Sequence, residues 1–208
     1  MSHAATMPMG HDRPERGFDA YNAKLGMWVF LLSEIMFFTS LIGAYVILRF
    51  AHPDAFAQPG VVLNVPLTAV NTFVLICSSV TMVKAFAALE QDDQKGLKLW
   101  LLATIVLGAA FVGVQAYEYY HLVHDGFVPN AAAYAAPGGA IYGSTFYLMT
   151  GFHGLHVSIG VLCLIWILWK SNRGAFHSKR VAGVEAMGLY WHFVDLVWIV
   201  LFTIVYLI

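Results

Sequence analysis

The sequence predicts an all-α membrane protein, a polytopic bundle of five transmembrane helices with the N-terminus cytoplasmic and the C-terminus external. Three observations lead there. Of the 208 residues, 60% are hydrophobic and only 11% charged, where soluble domains carry about a quarter charged. Mean hydropathy is +0.70. Five apolar runs are long enough to cross a hydrocarbon core, which takes about 20 residues. Of the 11 Lys and Arg residues, all but Arg49 fall at the helix ends and connections of one side, the asymmetry that marks the cytoplasmic face.

The first run, 24–50, follows a polar tail, residues 1–23. That tail shows no short apolar region with a cleavage site, so the first helix is expected to act as its own insertion signal. His52-Pro53-Asp54 ends it, and the second run covers 61–89. A polar break from Gln91 to Gly96 precedes the third run, 99–123. A Pro/Gly/Ala stretch, 129–139, leads to the fourth, 141–170, and a break over 171–183 leads to the fifth, 184–208. Arg13, Arg16 and Lys24 lie in the tail and at the start of the first run, Lys84, Lys95 and Lys98 around the second connection, and Lys170, Arg173, Lys179 and Arg180 around the fourth. Trp28, Trp100, Trp166, Trp169 and Tyr206 lie near run ends as interfacial anchors would, whereas Trp191 and Trp198 sit deeper. No internal repeat is visible, which argues against an inverted-repeat transporter. A net charge of -1 gives no reason to expect nucleic acid. Cys77 and Cys163 fall inside apolar runs and are expected to be small buried residues without a disulfide.

The polar residues inside these runs are the candidate functional ones, because an ionisable group in hydrocarbon costs a few kcal/mol on insertion scales. Glu34 lies about ten residues into the first helix, or about 15 Å at the helical rise. His192 lies at a similar depth in the fifth helix, with Asp195 one turn further, and His156 lies about 13 residues from the cytoplasmic end of the fourth. Glu34, His156 and His192 therefore share a layer near mid-membrane, and we expect Glu34 to lie against His156 or His192. The pairs His153/His156 and His192/Asp195 are spaced to share one helix face. Three chemistries compete for this set: interhelical hydrogen bonding, which spacing alone favours, a carboxylate–imidazole proton relay, and metal or haem ligation. Gly151, Gly154 and Gly160 form a small-residue strip that lets a neighbouring backbone approach, with Gly108, Ala109, Ala110 and Gly113 a similar set in the third helix. Glu118, among Tyr117, Tyr119 and Tyr120, falls where a wet helix end is expected. His3, Met7, Met9 and His11 read as part of a disordered polar tail rather than a copper site.

Several local motifs resemble subunit III of the haem-copper oxidases. They are Gly143-Ser144-Thr145-Phe146, the stretch from Thr150 to Val157 with its Gly151-Phe152-His153-Gly154-Leu155-His156, and Tyr190-Trp191-His192-Phe193-Val194-Asp195 followed by Val197-Trp198. In the first helix Leu25-Gly26-Met27-Trp28 and Ser33-Glu34-Ile35-Met36-Phe37-Phe38 are similar to the family's segment around its carbodiimide-reactive glutamate. Val65-Pro66-Leu67, Asn71-Thr72 and Tyr117-Glu118-Tyr119 also match. The resemblance runs from Lys24 nearly to the end of the chain, and it is to the five-helix bacterial form.

The resemblance implies a non-catalytic integral membrane subunit of a proton-pumping terminal oxidase of aerobic respiration, in the bacterial cytoplasmic (inner) membrane. It implies subunits I and II as partners, in a hetero-oligomer that can join a supercomplex. Haem and copper would belong to subunit I, with copper in subunit II a further candidate, and this chain would hold no redox centre. Bound phospholipid in a helix cleft, support of proton uptake, oxygen access and stability during turnover are the implied roles. Glu34 takes the place of the reactive carboxyl, whose reactivity requires a protonated group in apolar surroundings. Lys170 takes the place of a residue near lipid headgroups, where a basic chain can snorkel to phosphate. Gly43 departs from the Trp that many relatives carry. Glu rather than Asp at position 34 tilts the electron donor toward cytochrome c over quinol. A small proton or solute transporter, working through Glu34 and the histidine layer, is the alternative.

Overall fold

The structure, a computed structural model, describes residues 15–56, 62–129, 139–174, 176 and 181–207, with the backbone alone for 15–20 and 139–140. The tail residues His3, Met7, Met9, His11 and Arg13, and Lys179 and Arg180 of the fourth connection, lie outside it. Five helices are long and apolar enough to cross a membrane. They are α1 (Glu15–Ala51), α2 (Val65–Glu90), α3 (Gln94–His124), α4 (Gly139–Asn172) and α5 (Ala182–Phe202). Among the described residues no strand occurs, so the fold class is as expected.

Capping chemistry explains where the helices depart from the expected runs. α2 begins at Val65 rather than at 61, because the Asn64 side chain accepts a hydrogen bond from the Leu67 amide and Pro66 follows in the first turn. α3 begins at Gln94, well inside the expected break. The Asp93 carboxylate accepts from the amides of Lys95 and Gly96, so three residues suffice to turn the chain. Asp92 takes a left-handed φ of 56°, which a short polar side chain tolerates. α5 widens after Phe202 into a π turn over Thr203–Leu207.

The helices are antiparallel in sequence order, and α5 is the hub. It packs against α1, α2 and α4, while α2 pairs with α3 and α3 with α4. Of the best apolar window of α5, 44% is buried, against 17% for α1, which therefore hangs on the outside of the bundle. An ion pair from Lys24 to Glu185 joins the starts of α1 and α5, and Gln94 at the start of α3 donates to the Phe176 carbonyl after α4. The described basic residues other than Arg49 thus gather at one end of the bundle, as the charge asymmetry predicts.

Large side chains of α5 lock the core. Trp191 and Trp198 are each 1% exposed. Their indole N–H groups donate to Ser78 and Thr72 of α2, at 3.0 and 2.9 Å. Each ring therefore buries its area without stranding its polar atom. The glycine strips serve these rings. A Cβ at Gly108 or Gly160 would stand 2.6 or 2.8 Å from Trp191, and one at Gly154 would stand 2.7 Å from the Gln115 amide. The expectation of close backbone approach is corrected: the glycines admit bulky side chains. Gly151 and Gly113 meet nothing tighter than ordinary contact.

Candidate functional site

Glu34 and His156 come together. Glu34 is on the inner flank of α1 and His156 on the facing flank of α4, with Glu34 Oε2 and His156 Nε2 3.0 Å apart. Their side chains are 17% and 14% exposed. His156 Nδ1 lies 2.7 Å from the Phe152 carbonyl, and the Tyr190 hydroxyl donates to the His156 carbonyl at 2.9 Å. A carbonyl oxygen only accepts, so Nδ1 carries a proton and the tautomer is set. Nε2 then meets Glu34 either as the acceptor of a carboxylic acid proton or as the donor in an imidazolium–carboxylate pair. In both states one proton is held between the two atoms. Phe37 and Phe38 flank the imidazole, with ring centroids 6.5 and 5.2 Å away. The couple lines a cleft of about 660 Å³ between α1 and α4, with Met27, Phe30, Phe152, Leu155 and Ile159 beside it and Met187 and Tyr190 of α5 behind. Cys163 opens into the same cleft. It is exposed rather than buried as expected, because it faces that open cleft; Cys77 is half-buried, and both thiols are free.

The remaining layer residues go elsewhere. His192 Nδ1 is 2.6 Å from Ser79 Oγ of α2, while Asp195, one turn on, is 7% exposed with its Oδ1 unpartnered. His192 therefore finds its partner on α2, away from Glu34. His153 is fully buried. It stacks on Trp198 at 4.7 Å and meets the Phe111 ring edge-on, with neither ring nitrogen hydrogen-bonded. Residues three apart on a helix still differ by about 60° around its axis. For His153 and His156 that difference decides which helix each one meets. Depth placed Glu34, His156 and His192 in one layer, but side-chain direction divides it into a Glu34–His156 couple and a His192–Ser79 pair, with His153 apart from both. Lys170 extends along α4 with its ammonium 3.7 Å over the Trp166 ring, and Arg173 covers Trp169 in the same way at 3.8 Å. Among the described residues, His, Cys, Asp and Glu side chains do not gather in threes as metal ligands would.

Sequence reasoning missed a second buried carboxylate. Glu118 is 6% exposed, not at a wet helix end. Its oxygens accept from Thr68 of α2 at 3.0 Å and from Tyr206 at 3.2 Å. Tyr206, expected as an interfacial anchor, is 1% exposed because the π turn carries it beneath α3. Nearby, the Gln115 amide donates to the Thr150 carbonyl and Tyr119 pairs with the Thr150 hydroxyl, joining α3 to α4. The signal was available in the helical spacing of Gln115, Glu118 and Tyr119, which puts all three on one flank of α3.

The family model described as "Cytochrome c oxidase subunit III" matches residues 17–208. A cytochrome c oxidase subunit 3 of Thermostichus vulcanus is 38% identical over 185 residues, covering 88% of this chain and 86% of the relative. One from Synechocystis sp. is 41% identical over 184 residues, covering 88% and 74%. A probable cytochrome c oxidase subunit 3 of Nocardia farcinica is 38% identical, covering 88% and 87%.

Proposed function

The chain belongs to the cytochrome c oxidase subunit III family, and we propose that it is the non-catalytic membrane subunit of a proton-pumping haem-copper terminal oxidase. In this reading it sits in the bacterial inner membrane with its N-terminus in the cytoplasm, packed against subunit I beside subunit II. Haem and copper belong to those partners. In this reading no redox step runs through this chain. Family membership also sets aside the free-standing transporter.

The observation that carries the reading is the Glu34–His156 couple within an apolar cleft. Lined by aliphatic and aromatic side chains, such a cleft takes phospholipid acyl chains and dissolves apolar O2 better than water does. The couple then fixes α1 to α4 across the cleft, holding the cleft's shape through turnover and supporting proton uptake in subunit I. Lys170 and Arg173, at the end of α4, suit lipid phosphates.

A gentle pull-down through a tag on this chain tests the reading. The eluate is expected to show reduced-haem bands of an oxidase, with haem and copper near one complex per chain. A colourless, self-associated product would overturn it. Glu34→Gln is expected to leave the co-purified haem unchanged, since the amide can still hydrogen-bond His156 and no redox centre is touched. Loss of the haem-bearing partners in that variant would count against the assignment.

A further inference from the structure

α1 is clasped at one end and overhangs at the other. Among residues 41–50 only Ala44, Ile47 and Phe50 are exposed. Tyr45 is fully buried there. After the 3-10 turn over Pro53–Ala55, Phe56 packs against both Tyr45 and Tyr142 of α4, with ring centroids 5.4 Å apart in each case. Among residues 21–40 the position is reversed. Only Met27, Leu31, Glu34, Phe37 and Phe38 are shielded, along a single narrow seam. The cleft of about 660 Å³ flanks that stretch on the side of α4, and a second groove of about 410 Å³ flanks it on the side of α5. The cytoplasmic part of α1 is thus a lever with room on either side, while its external end is seated in the bundle.

Two features weaken α1 where the clasp begins. A Cβ at Gly43 would meet nothing within 4 Å, so no neighbour requires glycine at a mid-helix position where alanine makes the stronger helix. One turn earlier the Ser40 hydroxyl donates to the Phe37 carbonyl at 2.7 Å, a back-bond that competes with the helical ladder and favours bending. Two polar contacts hold the lever down. Lys24 pairs with Glu185 near its tip, where both side chains are partly in the open and the attraction is weak. Glu34 meets His156 halfway along, at 3.0 Å and largely shielded. From Gly43 to Glu34 is about 14 Å at the helical rise, so a bend of about 20° carries Glu34 about 5 Å sideways, out of reach of the imidazole.

We propose that α1 is a hinged gate. It bends over Ser40–Gly43, its cytoplasmic half swings away from α4 and widens the cleft, and the Glu34–His156 hydrogen bond is the latch that keeps it shut. The external clasp stays in place. Gate width then sets which apolar molecules pass from the bilayer into the cleft. The inference goes beyond the oxidase-subunit reading, since it assigns a motion to this chain whatever its partners.

Pulsed dipolar spectroscopy between spin labels tests the gate on the membrane complex, purified through a tag on this chain and returned to lipid bilayers, with Cys77 and Cys163 replaced by alanine. One pair of labels sits at the exposed Val29 and Leu162, across the cleft. A reference pair sits at the exposed Ile47 and Ser144, beside the clasp. Glu34→Leu is expected to lengthen the Val29–Leu162 distance by about 7 Å, the swing of a bend of about 20° at that radius, and to leave Ile47–Ser144 unchanged. Gly43→Ala, for which there is open space, is expected to remove about half of that lengthening and, in the native chain, to narrow the Val29–Leu162 distribution. An unchanged Val29–Leu162 distance in Glu34→Leu would overturn the gate. Equal shifts at both pairs would overturn it too, since α1 would then move as a whole. Should Glu34→Leu fail to assemble, the native and Gly43→Ala distributions decide alone, and identical widths would overturn the hinge. Haem content of the same samples reports on the oxidase-subunit reading, so each can fail without the other.

Discussion

Gly160→Ala is expected to destabilise the bundle by about 2 kcal/mol, although alanine is the better helix former by about 1 kcal/mol. The new methyl would stand 2.8 Å from the Trp191 ring. That ring is wedged between α3 and α4, with Gly108 on its other side and its N–H tied to Ser78. It cannot retreat without giving up the hydrogen bond or prying the helices apart. Gly151→Ala lies in the same strip of α4 but meets nothing nearer than the Tyr119 hydroxyl at 3.8 Å, so it is expected to be neutral or mildly stabilising. Thermal unfolding in mild detergent, followed by tryptophan fluorescence, separates the two. Similar midpoints for both variants would mean that the strip is packed against something softer than Trp191.

Glu118→Leu is the other large effect, a loss of about 3 kcal/mol, because it removes the acceptor for two hydroxyls of buried residues. Tyr206 loses its partner outright, whereas Thr68 also lies 3.0 Å from the Asn64 carbonyl and can fall back on it. Tyr206→Phe is accordingly expected to cost about 1 kcal/mol in the native chain and almost nothing in the Glu118→Leu background. The same midpoint measurement, run as a double-mutant cycle, reads this coupling. Additive losses would show that Tyr206 and Glu118 do not share the bond.

The two carboxylates show how far the candidate site could be read in advance. Glu34 stood out because it interrupts an apolar run, and its depth correctly selected His156 as one of two partners. Glu118 went unread because it lies near a helix end, where a charged residue has a ready account in water. What buries it is the π turn of a helix far along the chain. The same blindness applies to Trp191 and the glycines. Small residues announce close packing, but not whether a backbone or an indole fills the space.

Composition, run length and charge bias were enough to determine that the chain is five membrane-spanning helices with its basic residues at one end. The reason is that hydrocarbon allows few ways to satisfy a backbone, and each helix meets that demand within its own residues. Helix ends followed capping chemistry that is equally local, legible in Asn64-Val65-Pro66 and in Asp93. The tertiary structure alone decided which polar groups meet. Partner choice depends on rotation about each helix axis and on which helices are neighbours, and neither is encoded within a single span. Hence His153 and His156, one turn apart on α4, end respectively against Trp198 in the core and against Glu34 in the cleft.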